Sequence, residues 1–164
     1  PVWQREIPQV MDVYDRLSRY EGEPGVVIAY GSMYGNTEQM AERIARELAA
    51  EGVGPIFVHN MSYADESIVL RDVFRYDTLI VGGPTYNGGL YPPVARLLDL
   101  IAARCVPQRN FCWASAAVRC LGEFAQKMKW EAICEPVEMK QGFSPAWHEA
   151  CHALAARIAG CMHR

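Results

Sequence analysis

From residue 25 onward, short apolar runs bounded by glycine and proline alternate with stretches of helical periodicity. The pattern predicts strands at residues 26–30, 55–59, 78–81, 110–114 and 132–138 and helices at 37–51, 66–74, 92–104, 119–129 and 145–160. The apolar runs lack clean alternation with polar residues, which indicates strands buried on both faces. Five successive βα units therefore predict an α/β fold with a doubly wound, five-stranded parallel sheet.

The size and charge of the chain narrow the classes of protein it can belong to. Its 164 residues are 51% hydrophobic and 21% charged, with a formal net charge of -3. One domain with its own core is expected at this length, and no basic surface for nucleic acid is indicated. No apolar run reaches membrane-spanning length and no signal-peptide pattern is present, so we expect no membrane association and a cytoplasmic location.

The first 24 residues differ from the rest of the chain. Val10, Val13, Tyr14 and Leu17 have helical spacing, and the Glu-Gly-Glu-Pro sequence that follows breaks the helix. We predict that residues 1–24 form a helical lead-in or interdomain connector packed on the side of the domain. Residues 25–164 form the domain itself.

The six cysteines, at positions 105, 112, 120, 134, 151 and 161, include no C-x-x-C pair. A chain large enough to build its own core does not need a disulfide framework. Reduced, partly buried thiols are therefore expected, and no metal cluster is indicated.

A zinc-hydrolase motif occurs in the last predicted helix. The sequence from His148 to His152 reads H-E-x-x-H, which in a metalloprotease supplies two zinc ligands and a general base. Projection onto a helix places Trp147, Cys151, Leu154 and Ile158 on the buried stripe and the two histidines toward solvent. We interpret the histidines as surface residues.

The turn between the first strand and the first helix is a candidate anion site. Its residues are Ser32, Met33, Tyr34, Gly35, Asn36 and Thr37. The first turn of a helix has free amides and a positive dipole end, so these amides and the two hydroxyl groups suit a phosphate. No Walker A lysine and no G-x-G-x-x-G fingerprint is present, which favours a single terminal phosphate. The alternative is that the polar residues merely cap the helix.

Two segments of the chain resemble a known family. The sequence SMYGNTE resembles the phosphate loop of flavodoxins, and GGPTYNGGLYPPV, residues 82–94, resembles the loop after the third strand in the flavodoxin-like domain of flavodiiron proteins (A-type flavoproteins). The opening PVW and the YDRL helix resemble the connector that precedes that domain. The resemblance implies a flavodoxin-like fold with strand order 2-1-3-4-5, FMN as cofactor and electron transfer as the function.

The residues of the second loop suit a flavin ring independently of the family resemblance. Its candidate residues are Pro84, Thr85, Tyr86, Asn87 and Gly88. The glycines allow close approach of backbone to a flat ring, Tyr86 can stack on the ring, and Thr85 and Asn87 offer polar contacts to its edge. The alternative is a loop of simple turns with a surface tyrosine.

The third loop departs from the family pattern. Flavodiiron proteins carry a Gly-Ser-Tyr-Gly-Trp-Ser-Gly-Gly type of segment after the fourth strand, whereas residues 114–121 read ASAAVRCL. Ser115 is the residue of this loop that matches. The missing aromatic contact is worth on the order of 1 kcal/mol, which predicts weakened or lost FMN binding. This difference motivates the alternative function, a flavin-free docking or oligomerisation module.

The resemblance also implies partners. A reductase or rubredoxin-like protein would supply electrons, and a diiron domain of the same or a neighbouring chain would receive them to reduce oxygen or nitric oxide. No residues of such a diiron domain occur in this sequence. A homo-oligomer is a further expectation for a parent protein.

Overall fold

The structure, a computed structural model, describes residues 6–104, 106, 110–113, 117–130, 132–138 and 145–162. The strands are β1 (Glu23–Tyr30), β2 (Ile56–Asn60), β3 (Tyr76–Gly82), β4 (Thr85–Tyr86), β5 (Gly89–Leu90) and β6 (Asn110–Trp113). The helices are α1 (Ile7–Ser18), α2 (Asn36–Ala50), α3 (Glu66–Arg75), α4 (Pro92–Ala103), α5 (Val118–Met128) and α6 (Pro145–Met162). The five helices predicted after residue 25 are all present, with ends shifted by at most two residues.

The main sheet is parallel and has the strand order β2-β1-β3-β6. Ile28 at the centre of β1 is opposite Val58 of β2 and Ile80 of β3. This order corresponds to the first four positions of the predicted 2-1-3-4-5 arrangement. The predicted α/β fold with a parallel sheet is therefore confirmed.

The segment predicted as the fifth strand, 132–138, is irregular. It follows β6 in parallel through a bridge between Phe111 and Ala132. The Ile133 amide donates to the Phe111 carbonyl at 3.1 Å, and the Val137 amide donates to the Trp113 carbonyl at 3.2 Å. The two acceptors are two residues apart on β6, whereas the two donors are four residues apart, so the segment bulges away from a regular ladder. Four strands form the main sheet within the described residues, and the count of five stays a prediction.

Both faces of the sheet are covered by helices, because β1 and β3 bury successive residues on opposite sides. Val27 and Leu79 belong to a core formed with α3, α4 and α5. Ile28 and Ile80 belong to a second core formed with α2 and α6. This two-sided burial explains why the strands read as continuous apolar runs.

Residues Ile7–Ser18 form helix α1, none of whose residues is fully buried. Its charged side chains pair mainly along the helix, as in the Asp12–Arg16 ion pair. Beyond the helix, the Tyr20 ring stacks on Phe74 at 6.2 Å between ring centres. The packing of α1 against the side of the domain stays a prediction. The division at residue 24 stays a prediction.

Cys112 and Cys134 form a disulfide, contrary to the expectation of reduced thiols throughout. The parallel course of the 132–138 segment along β6 places the two residues side by side, with Cα atoms 6.1 Å apart. Cys151 is a free, buried thiol whose pKa burial raises to about 11. At neutral pH this thiol is therefore protonated and packs as a small apolar group.

The predicted burial pattern of α6 is confirmed. Trp147, Cys151, Leu154 and Ile158 are all buried. His152 is on the surface, where its Nδ1 lies 3.0 Å from Glu47 Oε2 on α2. Among the described residues, no group of three metal-ligating side chains occurs, and none of their helices has the length and apolarity needed to cross a membrane.

Candidate functional site

Two loops meet at the carboxyl edge of the sheet, where β1 and β3 end. The first loop, 31–35, leads from β1 into α2, and the second, 83–91, leads from β3 into α4. The Gly31 amide donates to the Gly82 carbonyl at 2.9 Å, which joins the two loops at their bases. A Cβ on residue 31 would lie 2.3 Å from Cδ1 of Tyr91. Glycine is therefore required where the loops cross.

The first loop is shaped by one hydrogen bond and one left-handed residue. Gly35 precedes α2 with φ +83°, a conformation that glycine adopts without strain. Its amide donates to the Ser32 hydroxyl oxygen at 3.0 Å. This bond closes a turn over residues 32–35, directly before α2 begins.

The first turn of α2 presents open amide groups. The first hydrogen bond of the helix runs from the Gln39 amide to the Gly35 carbonyl at 3.0 Å. Within the described part of the chain, the amides of Asn36, Thr37 and Glu38 have no acceptor, and no side chain caps this end. Three free donors at the positive end of a helix dipole form a site for an anion.

The second loop contains a small hairpin of β4 and β5 with Asn87 and Gly88 at its tip. Both tip residues have positive φ, 46° and 76°, as a type I′ turn requires. The Tyr91 amide donates to the Pro84 carbonyl at 3.2 Å and closes the loop. A Cβ on residue 88 would meet no atom within 4 Å, so the space beside the turn is open.

The structure brings the predicted residues of the first two loops to this edge. Tyr34 is 87% exposed and Met33 is 39% exposed, so both side chains point away from the core. Tyr86 is 45% exposed, and its ring meets Tyr91 edge-on with 6.5 Å between ring centres. Ser115 lies outside the described residues. The ligand-binding roles of all these residues stay predictions.

Sequence reasoning missed two pairs of residues that support this edge. Tyr30 OH donates to Glu38 Oε1 at 3.0 Å, across the first loop. Tyr91 OH lies 3.3 Å from Ser62 Oγ in the loop after β2. The second contact joins residues 29 positions apart, which no local pattern reveals. The contact between Tyr30 and Glu38 is weakly indicated by the sequence, because one residue ends the strand before the loop and the other lies in the first helical turn after it.

Comparison with known proteins assigns this architecture to a family. The sequence profile of the flavodoxin family matches residues 28–132. The chain belongs to the flavodoxin family. Nitric oxide reductase of Moorella thermoacetica is 29% identical over 96% of this chain and 41% of the relative.

Solved structures agree with this assignment at the level of the fold. The rubredoxin oxygen:oxidoreductase of Desulfovibrio gigas superposes with a TM-score of 0.83 and 24% identity, covering 95% of this chain and 40% of that protein. The flavodiiron protein of Giardia intestinalis gives a TM-score of 0.79 and 19% identity, covering 96% and 42%. The resemblance to flavodiiron proteins is confirmed, and this flavodoxin-family chain spans about two fifths of the length of these relatives.

Proposed function

We propose that this chain is an FMN-binding electron-transfer domain, the flavodoxin-like part of a flavodiiron-type oxygen or nitric oxide reductase. The observation that carries the proposal is the uncapped start of α2, where three successive amides have no acceptor among the described residues. A terminal phosphate is an anion of suitable size for such a site. The phosphate-binding residues would be Ser32, Met33, Tyr34, Gly35, Asn36 and Thr37.

The ring of FMN would lie against the second loop. Pro84, Thr85, Tyr86, Asn87 and Gly88 would hold it, with Ser115 as the contact from the third loop. The open space beside the Asn87-Gly88 turn and the half-exposed Tyr86 ring are compatible with a flat aromatic group. Bound FMN supplies one- and two-electron redox chemistry, and the protein contacts tune its potential.

The activities of the relatives suggest the partners of this chain. The M. thermoacetica relative is a nitric oxide reductase, and the D. gigas relative is a rubredoxin-oxygen oxidoreductase. By analogy, we expect a reductase or rubredoxin-like electron donor and a diiron domain, in the same or a neighbouring chain, as acceptor. We expect the domain to act in the cytoplasm, as part of an oligomer of the parent protein.

The deciding experiment is a visible spectrum of the purified chain, followed by FMN titration of any colourless fraction while flavin fluorescence is recorded. Flavin absorption bands, or quenching that saturates at one FMN per chain, would support the proposal. The Ser67→Ala variant, altered in an exposed residue of α3, is the control for nonspecific effects of substitution. Absence of colour and of saturable quenching would contradict FMN binding.

The alternative function is a flavin-free docking or oligomerisation module. The alanine-rich third loop and the exposed apolar side chains of α1, among them Met11 and Tyr14, favour it. The FMN titration separates the two functions. A chain without affinity for FMN that associates in sedimentation experiments, and loses association in the Met11→Ser, Tyr14→Ser double variant, would be such a module.

A further inference from the structure

A carboxylate stands beside the proposed phosphate site. Glu38 is the third residue of α2, and the loop of residues 32–37 before it contains no lysine or arginine. A phosphate bound to the first-turn amides would therefore have a like charge as its neighbour. Two negative charges within several ångströms repel each other and weaken binding unless the carboxylate is held away.

The position of Glu38 in the first turn of α2 makes its carboxylate a competitor for the backbone amides at the start of this helix. A glutamate at the third helical position commonly reaches back to accept a hydrogen bond from the N-cap amide, which forms a capping box. In this chain the N-cap residue is Gly35, and its amide donates to Ser32 Oγ instead. The Glu38 carboxylate is thus diverted from its usual partner at the helix start.

The hydroxyl group of Tyr30 binds the Glu38 carboxylate. Tyr30 is the last residue of β1, its side chain is 5% exposed, and its hydroxyl donates to Glu38 Oε1 at 3.0 Å. Burial, followed by the bond to Glu38, raises the pKa of Tyr30 to about 12, so the hydroxyl remains a donor at neutral pH. Tyr30 and Thr37 line the same small cavity, so this bond lies directly beside the phosphate loop.

We propose that Tyr30 is a positioning residue that holds the Glu38 carboxylate away from the first-turn amides of α2 and so keeps these amides free for a phosphate group. This role rests on the proposed function, in which the phosphate belongs to FMN. Tyr30 acts through Glu38 and needs no contact with the ligand. Its effect should therefore be confined to ligands that carry the phosphate.

The test compares wild type, Tyr30→Phe, Glu38→Gln and the double variant in binding to FMN, riboflavin and inorganic phosphate. Tyr30→Phe should weaken FMN binding about tenfold, through repulsion and competition by the released carboxylate, and should change riboflavin affinity less than twofold. In the double variant, FMN affinity should return to within about twofold of Glu38→Gln alone, because the competing charge is absent. Tyr14→Phe on exposed α1 is the control for loss of a tyrosine hydroxyl.

Two results would overturn the role of Tyr30. Equal losses of affinity for FMN and riboflavin in Tyr30→Phe would indicate general damage to the fold. If Glu38→Gln did not restore FMN affinity to Tyr30→Phe, the Glu38 carboxylate would not be the cause of the loss. If wild type binds no FMN, the proposed function fails. The role of Tyr30 is then tested by the binding of inorganic phosphate.

Phosphate binding is followed by the NMR shifts of the amides of residues 36–38 in the same four proteins. Weaker phosphate binding in Tyr30→Phe, with rescue in the double variant, supports the role. Unchanged affinity, or no phosphate binding by wild type, overturns it.

Discussion

Helices α2 and α3 begin at the same edge of the sheet, but they begin in opposite ways. At α3, the Asp65 carboxylate accepts from the Ser67 amide at 2.8 Å and caps the helix. At α2, Gly35 occupies the equivalent position, has no capping side chain, and leaves the next three amides without an acceptor among the described residues. Side-chain capping stabilises a helix by about 1 kcal/mol. A helix start that forgoes this stabilisation retains donors for an external anion.

Gly31→Ala should have the largest effect on the start of α2, measured as stability and FMN binding. The added Cβ would lie 2.3 Å from Tyr91 Cδ1 and 2.9 Å from Val94 Cγ2, where the loops cross. Overpacking of this kind costs about 1–3 kcal/mol, so we expect reduced stability in urea unfolding together with loss of FMN binding. Gly122→Ala in α5, where a Cβ meets no atom within 4 Å, is the matched control and should be neutral or stabilising. Unchanged FMN affinity in Gly31→Ala would contradict the close packing.

Ser32→Ala should have the next largest effect, because it removes the acceptor of the Gly35 amide. Loss of this hydrogen bond, at about 1 kcal/mol, should weaken FMN binding about five- to tenfold through distortion of the phosphate loop. Riboflavin binding should be unaffected, since riboflavin has no phosphate. Fluorescence titration with both flavins measures the difference, with Ser67→Ala at the start of α3 as control. A similar loss for riboflavin would show that Ser32 does not act through the phosphate.

Tyr86→Ala should weaken FMN and riboflavin equally, by about fivefold. The substitution removes a ring whose contact with an aromatic ligand is worth about 1 kcal/mol. Tyr63→Ala is the matched control, because Tyr63 is 90% exposed in the loop after β2 and lies outside the proposed ring site. Titration with both flavins provides the measurement, and a loss seen only with FMN would reassign Tyr86 to the phosphate region.

Asp65→Ala should have the smallest effect on FMN, because α3 lies outside the binding loops. It should lower the melting temperature, since the Ser67 amide loses its acceptor. The backbone hydrogen bond from Ser67 lowers the pKa of Asp65 below its ordinary 3.8, so the ionised form stabilises the fold above that pH. The difference in melting temperature between wild type and variant should shrink as pH falls below about 4. A constant difference down to pH 2 would exclude the carboxylate as its source.

The parts of the structure that follow from local sequence were predictable. The start of α2 follows from the apolar end of β1 and the helical spacing of Met40, Ile44 and Leu48, all of which are buried. The Asn87-Gly88 turn likewise follows from the preference of this pair for positive φ.

Contacts between distant segments were not predictable. The Ser62–Tyr91 contact and the Cys112–Cys134 disulfide depend on how the fold brings distant segments together. The surroundings of α1 are not predictable for a related reason. Its apolar spacing predicts a face suited to burial, but the spacing alone does not say against which surface that face packs.

The central place of β1 in the sheet has a consequence for the dynamics of the domain. Val26 pairs with Ile56 on one side and with Thr78 on the other, so the strand is held along both edges by segments distant in sequence. Contacts over such sequence distances slow folding, and the strand held from both sides belongs to the last part of a protein to open. The amide hydrogens of β1 should therefore exchange with deuterium more slowly than those of the edge strand β2. The base of the anion site would then stay in place while the outer elements fluctuate.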